Sequence, residues 1–385
     1  MRIHCLPLAV LLLPVTACTL SAQSSTEKLT NQMDQVFSGI AAPDAPGFAV
    51  LVKQNGEVVF ERGYGVRDLR AKVAIDAQTN FRLASFTKQF TAMAIMLLVH
   101  DDKLGYDDSL TDIFPEFPAY GKSISVRNLL NHTGGLPDYE DLMDASEKAK
   151  GPIWSPEKQI HDAEVLQLLE KESHGRFPPG TKWAYSNSGY VVLDLVVAKV
   201  SEKPFGAFLR ERIFTPLKMD HTLLFERGKN EVANRAYGHS KKENVFVETD
   251  QSSTSATQGD GGIYSNLEDL SKWDDALHKH TLLSEKEFLP AIQPAKLPPG
   301  AESKLAEDLP SSLRSYAGAY GFGWFLNLQD RHPLMWHYGD TMGFKTAIFR
   351  YVRDQVTVIL LCNRSDLDQG KLSLQAADSI LLSVR

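Results

Sequence analysis

A serine and a lysine stand three positions apart in this chain, at Ser85 and Lys88, just before an apolar run over residues 90–99. If that run is a helix, the two side chains share one face, so the lysine amine can hydrogen-bond to the serine hydroxyl. A serine with an adjacent base is a candidate nucleophile. The same spacing recurs at 155–158, where the proline and glutamate that follow Ser155 predict a helix cap instead.

A catalytic serine–lysine pair also needs a proton carrier near the leaving group, an oxyanion hole and groups that hold the substrate. Tyr185 offers a phenol that can move a proton, and Asn187 offers an amide that can bind a substrate. Further on, His337 is followed by Gly339, and a glycine there would let a substrate backbone lie along the edge of a strand.

Two similar triplets, at 264–266 and 132–134, compete with these candidates. We favour Tyr185 because it opens a predicted helix after a Pro-Pro-Gly loop, a position suited to facing a cleft. His132 lies in a predicted turn rather than on a strand. We therefore prefer Tyr185 and His337 to the two competing triplets.

Composition limits the functional classes. The 385 residues are 43% hydrophobic, which is enough to bury a large core. The net charge of −7, without a basic block, argues against nucleic acid as a partner. Cys362 lies in an apolar run and is predicted to be a buried, inert thiol. The cysteine spacing predicts neither a disulfide framework nor a metal site, and no cofactor is expected.

The first 22 residues predict an export signal, with a positive start at Arg2 and an apolar stretch over 6–15 that is too short to span a bilayer. Two kinds of processing remain open: cleavage after Ala22, or a lipoprotein signal in which Cys18 becomes the lipidated first residue. In either case the protein is expected to be periplasmic or secreted, and a lipid at Cys18 would be its only membrane contact.

The mature chain, 23–385, has two α/β ends and a helical middle. Residues 23–76 predict a helix and a hairpin around Asn55-Gly56, and residues 77–250 show helical spacing broken by proline- and glycine-rich loops. Residues 251–385 predict a helix, three β-runs at 321–326, 343–351 and 355–362, and a closing amphipathic helix. This order predicts an α/β sandwich whose sheet is completed by both ends of the chain.

The order Ser-x-x-Lys, Tyr-x-Asn and His-x-Gly, starting at 85, 185 and 337, resembles the serine β-lactamase and penicillin-binding protein superfamily in its class C-like branch. Segments at 129–137 and 261–265 are similar to that branch too, and the resemblance spans about 47–362. It implies the β-lactamase/transpeptidase-like fold, an α+β arrangement in which helices flank an antiparallel sheet and a mainly helical subdomain is added. It also implies a serine hydrolase of the β-lactamase, D-alanyl-D-alanine carboxypeptidase or esterase type.

Carried over by position, the resemblance implies that Ser85 attacks a carbonyl to form an acyl-enzyme, while Lys88 and Tyr185 share the proton transfers. For Tyr185 to act as a base its pKa must fall, and a Lys88 cation nearby has the right sign. The backbone N–H groups of Ser85 and Asp340 would form the oxyanion hole. The implied substrate-binding set is Asn187, His337, Gly339 and Asp340.

The third motif departs from the family pattern, since Tyr338 stands where threonine is usual and Asp340 would add a negative charge near an incoming carboxylate. We therefore expect anionic β-lactams to be poor substrates, and esters, amides or substrates with a neutral or cationic end to be preferred. The expected partner is a small molecule or short peptide. The alternative function is a non-catalytic module that binds cell-wall fragments or a protein. An α/β-hydrolase is disfavoured because no Gly-x-Ser-x-Gly elbow occurs.

Overall fold

A computed structural model describes residues 29–301, 305–307 and 309–382. The predicted export signal, with its lipidation candidate Cys18, lies outside the described residues. Among the helices that are described, none has the length and apolar character needed to cross a bilayer.

One large sheet organises the molecule. It has seven strands in the order β10-β11-β12-β13-β14-β1-β2, and all neighbouring strands are antiparallel. In chain order, the strands of the described residues are β1 (Phe48–Gln54), β2 (Glu57–Tyr64), β3 (Val66–Asp68), β4 (Val73–Ala74), β5 (Phe81–Arg82), β6 (Leu223–Leu224), β7 (His239–Lys242), β8 (Val245–Glu248), β9 (Ile263–Ser265), β10 (Ala319–Tyr320), β11 (Phe325–Asn327), β12 (Leu334–Thr341), β13 (Phe344–Tyr351) and β14 (Val356–Cys362).

The helices lie on both faces of this sheet. They are α1 (29–37), α2 (Lys88–His100), α3 (Leu110–Ile113), α4 (Val126–Leu130), α5 (Tyr139–Lys150), α6 (Asp162–Glu170), α7 (Asn187–Ser201), α8 (Phe205–Leu209), α9 (Leu267–His278), α10 (Glu285–Phe288) and α11 (Gln369–Leu381). A 3-10 turn, Ala84–Thr87, leads directly into α2, where every residue from Lys88 to Leu98 is buried. A helix buried on all sides belongs to the interior, so its first turn is held rigidly.

Both faces of the sheet are buried because helices pack against each of them. Successive side chains of a strand point to opposite faces and therefore enter different cores. In β1, Ala49 and Leu51 enter the core shared with the central helices, whereas Phe48 and Val50 enter a second core closed by α1 and α11. Each apolar side chain removed from water contributes about 1.5–3 kcal/mol to stability. The sheet is therefore stable enough to hold the residues of its strands in fixed positions.

Several predicted elements are confirmed. The Asn55-Gly56 turn joins β1 to β2, the apolar run after Lys88 is α2, and Leu267–His278 is helical as α9. Cys362 is a free, buried thiol whose pKa is raised by burial. The sheet strands come from both ends of the chain, although the subdomain limits at 76/77 and 250/251 stay a prediction.

Two expectations about local structure were wrong, and one strand was missing from the predicted β-runs. The run at 321–326 is not one strand, because Gly323 has a φ of +74° and the chain turns between β10 and β11. Strand β12 lies outside the three predicted β-runs, although Gly339 was expected at the edge of a strand. Ser155 does not cap a helix: its hydroxyl accepts the backbone N–H groups of Glu157 and Lys158 in a tight turn, which is still a structural role.

Candidate active site

The structure places the Ser85 hydroxyl beside the Lys88 amine, 2.9 Å from Oγ to Nζ, at the junction between the 3-10 turn and α2. Ser85 is partly exposed although Ala84 and Phe86 on either side are buried. Ala84 has a φ of +50°, a left-handed conformation that is unfavourable for a residue with a side chain. Packing therefore holds a strained backbone in the position that directs Ser85 toward solvent.

Lys88 is fully buried, and its amine lies within hydrogen-bond distance of three oxygens. Besides Ser85 Oγ, these are Asn187 Oδ1 at 2.9 Å and the Asp260 carbonyl at 3.0 Å. Burial lowers the pKa of Lys88 to about 8, against the opposing effect of nearby carboxylates. A neutral Lys88 can donate to Asn187 and Asp260 and still accept the proton of Ser85, which is the arrangement that a general base requires.

Asn187 and Tyr185 are positioned by the start of α7. Ser186 caps this helix by accepting the N–H of Gly189, so Tyr185 and Asn187 lie on either side of the cap. Asn187 offers its carbonyl oxygen to Lys88, and its amide nitrogen has no hydrogen-bond partner among the described residues. That NH2 group is available to another hydrogen-bond acceptor.

The ring of Tyr185 lies 5.0 Å from the Lys88 amine, but its ionisation differs from the expectation. Burial raises the pKa of Tyr185, and a hydrogen bond with Ser85 opposes this only in part. The condition for Tyr185 to act as a base, a lowered pKa, is not met, because desolvation of the phenolate outweighs the hydrogen bond with Ser85. Tyr185 is therefore a neutral phenol beside Ser85, and Lys88 is the better general base.

The third predicted motif, which begins at His337, lies on strand β12 close to the turn that holds Ser85. Strand β11 pairs only with Leu334, Met335 and Trp336, so the rest of β12 has an edge that β11 leaves open. An ideal Cβ on Gly339 would lie 2.1 Å from the Leu83 carbonyl oxygen and 2.3 Å from Thr346 Oγ1. Glycine is required here because β12 packs directly against the turn that holds Ser85.

His337 lies under the site rather than facing a substrate. Its Nδ1 is 2.7 Å from the Tyr338 carbonyl oxygen and therefore carries the proton, and its Nε2 accepts from the Tyr320 hydroxyl at 2.9 Å. Burial, reinforced by the Lys88 cation, lowers its pKa to about 3. A fully buried, neutral imidazole with both nitrogens engaged does not favour the predicted contact with substrate.

Asp340 does not present an uncompensated charge. Its carboxylate forms an ion pair with Lys345, the residue opposite it on β13. The expectation that Asp340 repels an incoming carboxylate did not take this pairing into account, because the partner lies on the neighbouring strand. The Asp340 backbone N–H remains the predicted second donor of the oxyanion hole.

His132, which sequence reasoning set aside, lies against Tyr185 with a distance of 4.4 Å between ring centroids. Its Nδ1 accepts the backbone N–H of Ser186 at 3.2 Å, so it holds the residue that caps α7. Burial lowers its pKa far below the usual value, and the ring is neutral. The interpretation of the 132–134 triplet missed this positioning role because a turn residue gives no sign of its distant partner.

Two buried carboxyl groups, Asp162 and Asp194, hold the loop whose Asp260 carbonyl contacts Lys88. Asp162 Oδ1 accepts the N–H of Gln258 at 2.8 Å and Asp194 Oδ2 accepts that of Gly259 at 2.6 Å, which fixes the loop that ends at the Asp260 carbonyl. Burial raises the pKa of Asp162 to about 7 and that of Asp194 well above its usual value. The two groups therefore share a proton in the folded protein.

Within the part of the chain that the structure describes, no group of three His, Cys, Asp or Glu side chains is arranged to hold a metal ion. The candidate site itself is formed by Ser85, Lys88, Tyr185 and strand β12. It comprises a nucleophile, a buried amine, a neutral phenol and an open strand edge.

Known sequences resemble this chain over most of its length. A sequence model of the Beta-lactamase family matches residues 33–380. Penicillin-binding protein 4* of Bacillus subtilis (strain 168) is 30% identical over 346 residues, which cover 86% of this chain and 71% of that protein. Protein flp of Staphylococcus aureus (strain N315) is 26% identical over 350 residues, and the match spans 64% of its length, less than two thirds.

Solved structures show the same fold. The D-amino acid amidase from Ochrobactrum anthropi SV3, complexed with L-phenylalanine amide, is similar with a TM-score of 0.74 and 25% identity, covering 93% of this chain and 99% of that one. The penicillin-binding protein from Bacillus halodurans has a TM-score of 0.70 and 24% identity, covering 86% and 95%. The predicted β-lactamase/transpeptidase-like architecture is confirmed.

Proposed function

Because this chain belongs to the Beta-lactamase family of serine hydrolases and penicillin-binding proteins, we propose that it is an exported hydrolase that cleaves an amide or ester through an acyl-enzyme. The observation that carries this proposal is the buried Lys88 amine, 2.9 Å from the Ser85 hydroxyl and with a pKa lowered to about 8. A non-catalytic binding module has no need for such a pair.

The first step transfers the Ser85 proton to neutral Lys88 as Oγ attacks the substrate carbonyl carbon. The negative oxygen that develops is stabilised by the backbone N–H groups of Ser85 and Asp340, and Asn187 Nδ2 donates to a second substrate carbonyl. The proton then passes through Tyr185 to the leaving nitrogen or oxygen as its bond to carbon breaks. Water attacks the acyl carbon, and Ser85 is regenerated with its proton.

The substrate class that we propose is a D-amino-acid peptide, amide or ester, or a β-lactam-like compound. Support comes from the named activities of similar proteins, which include a D-amino acid amidase at 25% identity and a penicillin-binding protein at 30%. The half-open edge of β12 next to Ser85 is suited to an extended peptide-like chain.

A substrate panel tests the proposal. Nitrocefin, a D-Ala-D-Ala peptide, a D-amino-acid amide and nitrophenyl esters are incubated with the wild type and with Ser85→Ala, and acyl-enzyme is sought by intact-protein mass spectrometry. We expect turnover of at least one class and a covalent adduct, both lost in Ser85→Ala. Binding of cell-wall fragments without turnover or adduct in the wild type would instead support the non-catalytic alternative.

We propose that the protein acts outside the cytoplasm after removal of residues 1–22, or as a lipoprotein anchored at Cys18. Expression of the full chain and of Cys18→Ser in a bacterial host separates these cases. A lipoprotein would partition into detergent and lose this property in Cys18→Ser, whereas a protein cleaved after Ala22 would be soluble in the periplasm in both forms.

A further inference from the structure

Asp260 contacts Lys88 through its backbone carbonyl, but its side chain takes no part in the proposed mechanism. The residue is only 7% exposed. One carboxylate oxygen, Oδ2, accepts a hydrogen bond from the hydroxyl of buried Tyr139 at 3.3 Å. The other, Oδ1, is buried and has no hydrogen-bond partner among the described residues. A buried carboxylate oxygen without a hydrogen bond is costly, so a positive charge nearby is needed to offset the cost.

The protonated form of Lys88 supplies that positive charge. Burial lowers the pKa of Lys88 to about 8, and Asp260 is the carboxylate that opposes this most strongly. Glu140 and Asp138, at the start of α5, act in the same direction but more weakly. Glu140 is exposed and Asp138 is half-buried, so water screens both charges. Asp260 is therefore the buried counter-charge of the Lys88 ammonium.

The other titratable side chains that face the Lys88 amine are uncharged near pH 7. Burial lowers the pKa values of two imidazoles and raises those of two phenols, whose rings lie 5.0 and 5.5 Å from the amine. These four residues are His132, His337, Tyr185 and Tyr190. None of them balances a positive charge on Lys88.

The loop that carries Asp260 is held firmly. Thr91 on α2 donates to the Gly259 carbonyl at 2.6 Å, and the Gly259 N–H donates to buried Asp194. Because α2 also carries Lys88, the loop and the amine are fixed to the same helix. The carboxylate of Asp260 thus keeps its position relative to Lys88 while the reaction proceeds.

We propose that Asp260 is a positioning residue whose buried carboxylate stabilises the ammonium that Lys88 becomes when it takes the Ser85 proton. The proton stays on the Lys88 nitrogen, and Asp260 neither gains nor loses one. This proposal rests on the proposed function and deepens it, because it names the group that balances the charge formed during the attack. A charge that is fixed before the reaction stabilises a developing charge without reorganisation.

Asp260→Asn tests the proposal, because asparagine keeps an acceptor for Tyr139 but carries no charge. The readout is kcat/KM for a nitrophenyl ester from pH 5.5 to 10. We expect the apparent pKa of its rising limb to fall by about one pH unit, because loss of a neighbouring negative charge favours the neutral amine. The plateau should fall as well, since a weaker base accepts the Ser85 proton less readily. Asp144→Asn, on the exposed surface of α5, is the matched control and should keep both values.

The pH profile distinguishes this role from a structural one. A purely structural role would lower the plateau and leave the apparent pKa where it is in the wild type, and that result overturns the proposal. Circular dichroism checks that each variant is folded. Asp260→Ala removes the same charge and gives the same readout should the asparagine variant not fold.

A second measurement does not depend on hydrolysis. In protein labelled with carbon-13 lysine, the NMR shift of the Lys88 Cε atom, assigned by its absence in Lys88→Met, follows protonation of the amine directly. We expect a midpoint near pH 8 in the wild type and about one pH unit lower in Asp260→Asn. If no ester is cleaved, the proposed function fails while this titration still decides the role of Asp260. Equal midpoints in the two proteins overturn it.

Discussion

Lys88 combines complete burial with a place at the head of a helix, and this combination determines its protonation. Three oxygens surround its amine, yet burial dominates and lowers its pKa toward neutrality. The same burial raises the pKa of Tyr185. One environment thus yields an amine that can accept a proton and a phenol that can donate one.

The first prediction concerns pH. Because only neutral Lys88 can take the Ser85 proton, kcat/KM for a neutral ester should rise with pH through an apparent pKa of about 8 and level off above it. Stopped-flow or plate-reader assays from pH 5.5 to 10 measure this profile. Ser85→Ala defines the background, and a rising limb centred near pH 6 would contradict the assignment.

The second prediction concerns Tyr185. If this phenol protonates the leaving atom, Tyr185→Phe should lower kcat by about 100-fold or more for an amide but far less for a nitrophenyl ester, whose leaving group needs no proton. Steady-state kinetics on both substrates measure the difference. Equal losses would show that Tyr185 acts before the leaving group departs or only supports the fold.

At the scale of elements, the site forms where three elements contact one another: β12, the turn before α2 and the start of α7. Thr346 on β13 donates to the Leu83 carbonyl at 2.7 Å and so fastens the sheet to the Ser85 turn. His132 holds Ser186 at the cap of α7. Thr346 and His132 therefore hold in place the two segments that carry Ser85 and Asn187.

The third prediction concerns Gly339→Ala, which tests the contact between β12 and the turn before α2. The new Cβ would collide with backbone at Leu83, so β12 must move away from Ser85. We expect kcat/KM to fall by at least 100-fold and the melting temperature to fall by several degrees, as strain in a packed interior costs about 1–3 kcal/mol. Gly189→Ala, whose Cβ would make only ordinary contacts at 3.5 Å or more, is the matched control. Wild-type activity in Gly339→Ala would show that the contact is not needed.

At the scale of the whole molecule, the Asp162–Asp194 pair links stability to pH. Its two carboxyls tie α6 and α7 to the loop that supports Lys88. Because burial raises their pKa values in the folded state, the folded protein binds more protons than the unfolded chain above about pH 4. Stability that the shared proton provides is fully present below that pH and is lost as pH rises through about 7.

The corresponding prediction is that the melting temperature falls between pH 5 and pH 8, and that Asp194→Asn makes the fall smaller. Asparagine can still accept the N–H of Gly259 but does not ionise. Differential scanning calorimetry at both pH values measures the effect, with Asp144→Asn on exposed α5 surface as the control. An identical fall in wild type and Asp194→Asn would rule out this pair as the cause.

The sequence by itself determined what depends on neighbours along the chain. The hairpin at Asn55-Gly56, helix α2 and the proximity of Ser85 to Lys88 follow from turn chemistry and from the spacing of residues on a helix. The family resemblance added the order of the three motifs, and the matches to known proteins confirm the fold.

Only the tertiary structure decided what depends on residues far apart in the chain. The pKa of Tyr185 rises because packing excludes water from its ring, Asp340 is neutralised from the adjacent strand, and His132 meets Tyr185 from a distant turn. Burial and charge pairing are properties of three-dimensional neighbourhoods. No local pattern encodes them, which is why the sequence identified candidate residues and their order but not their protonation or their supporting contacts.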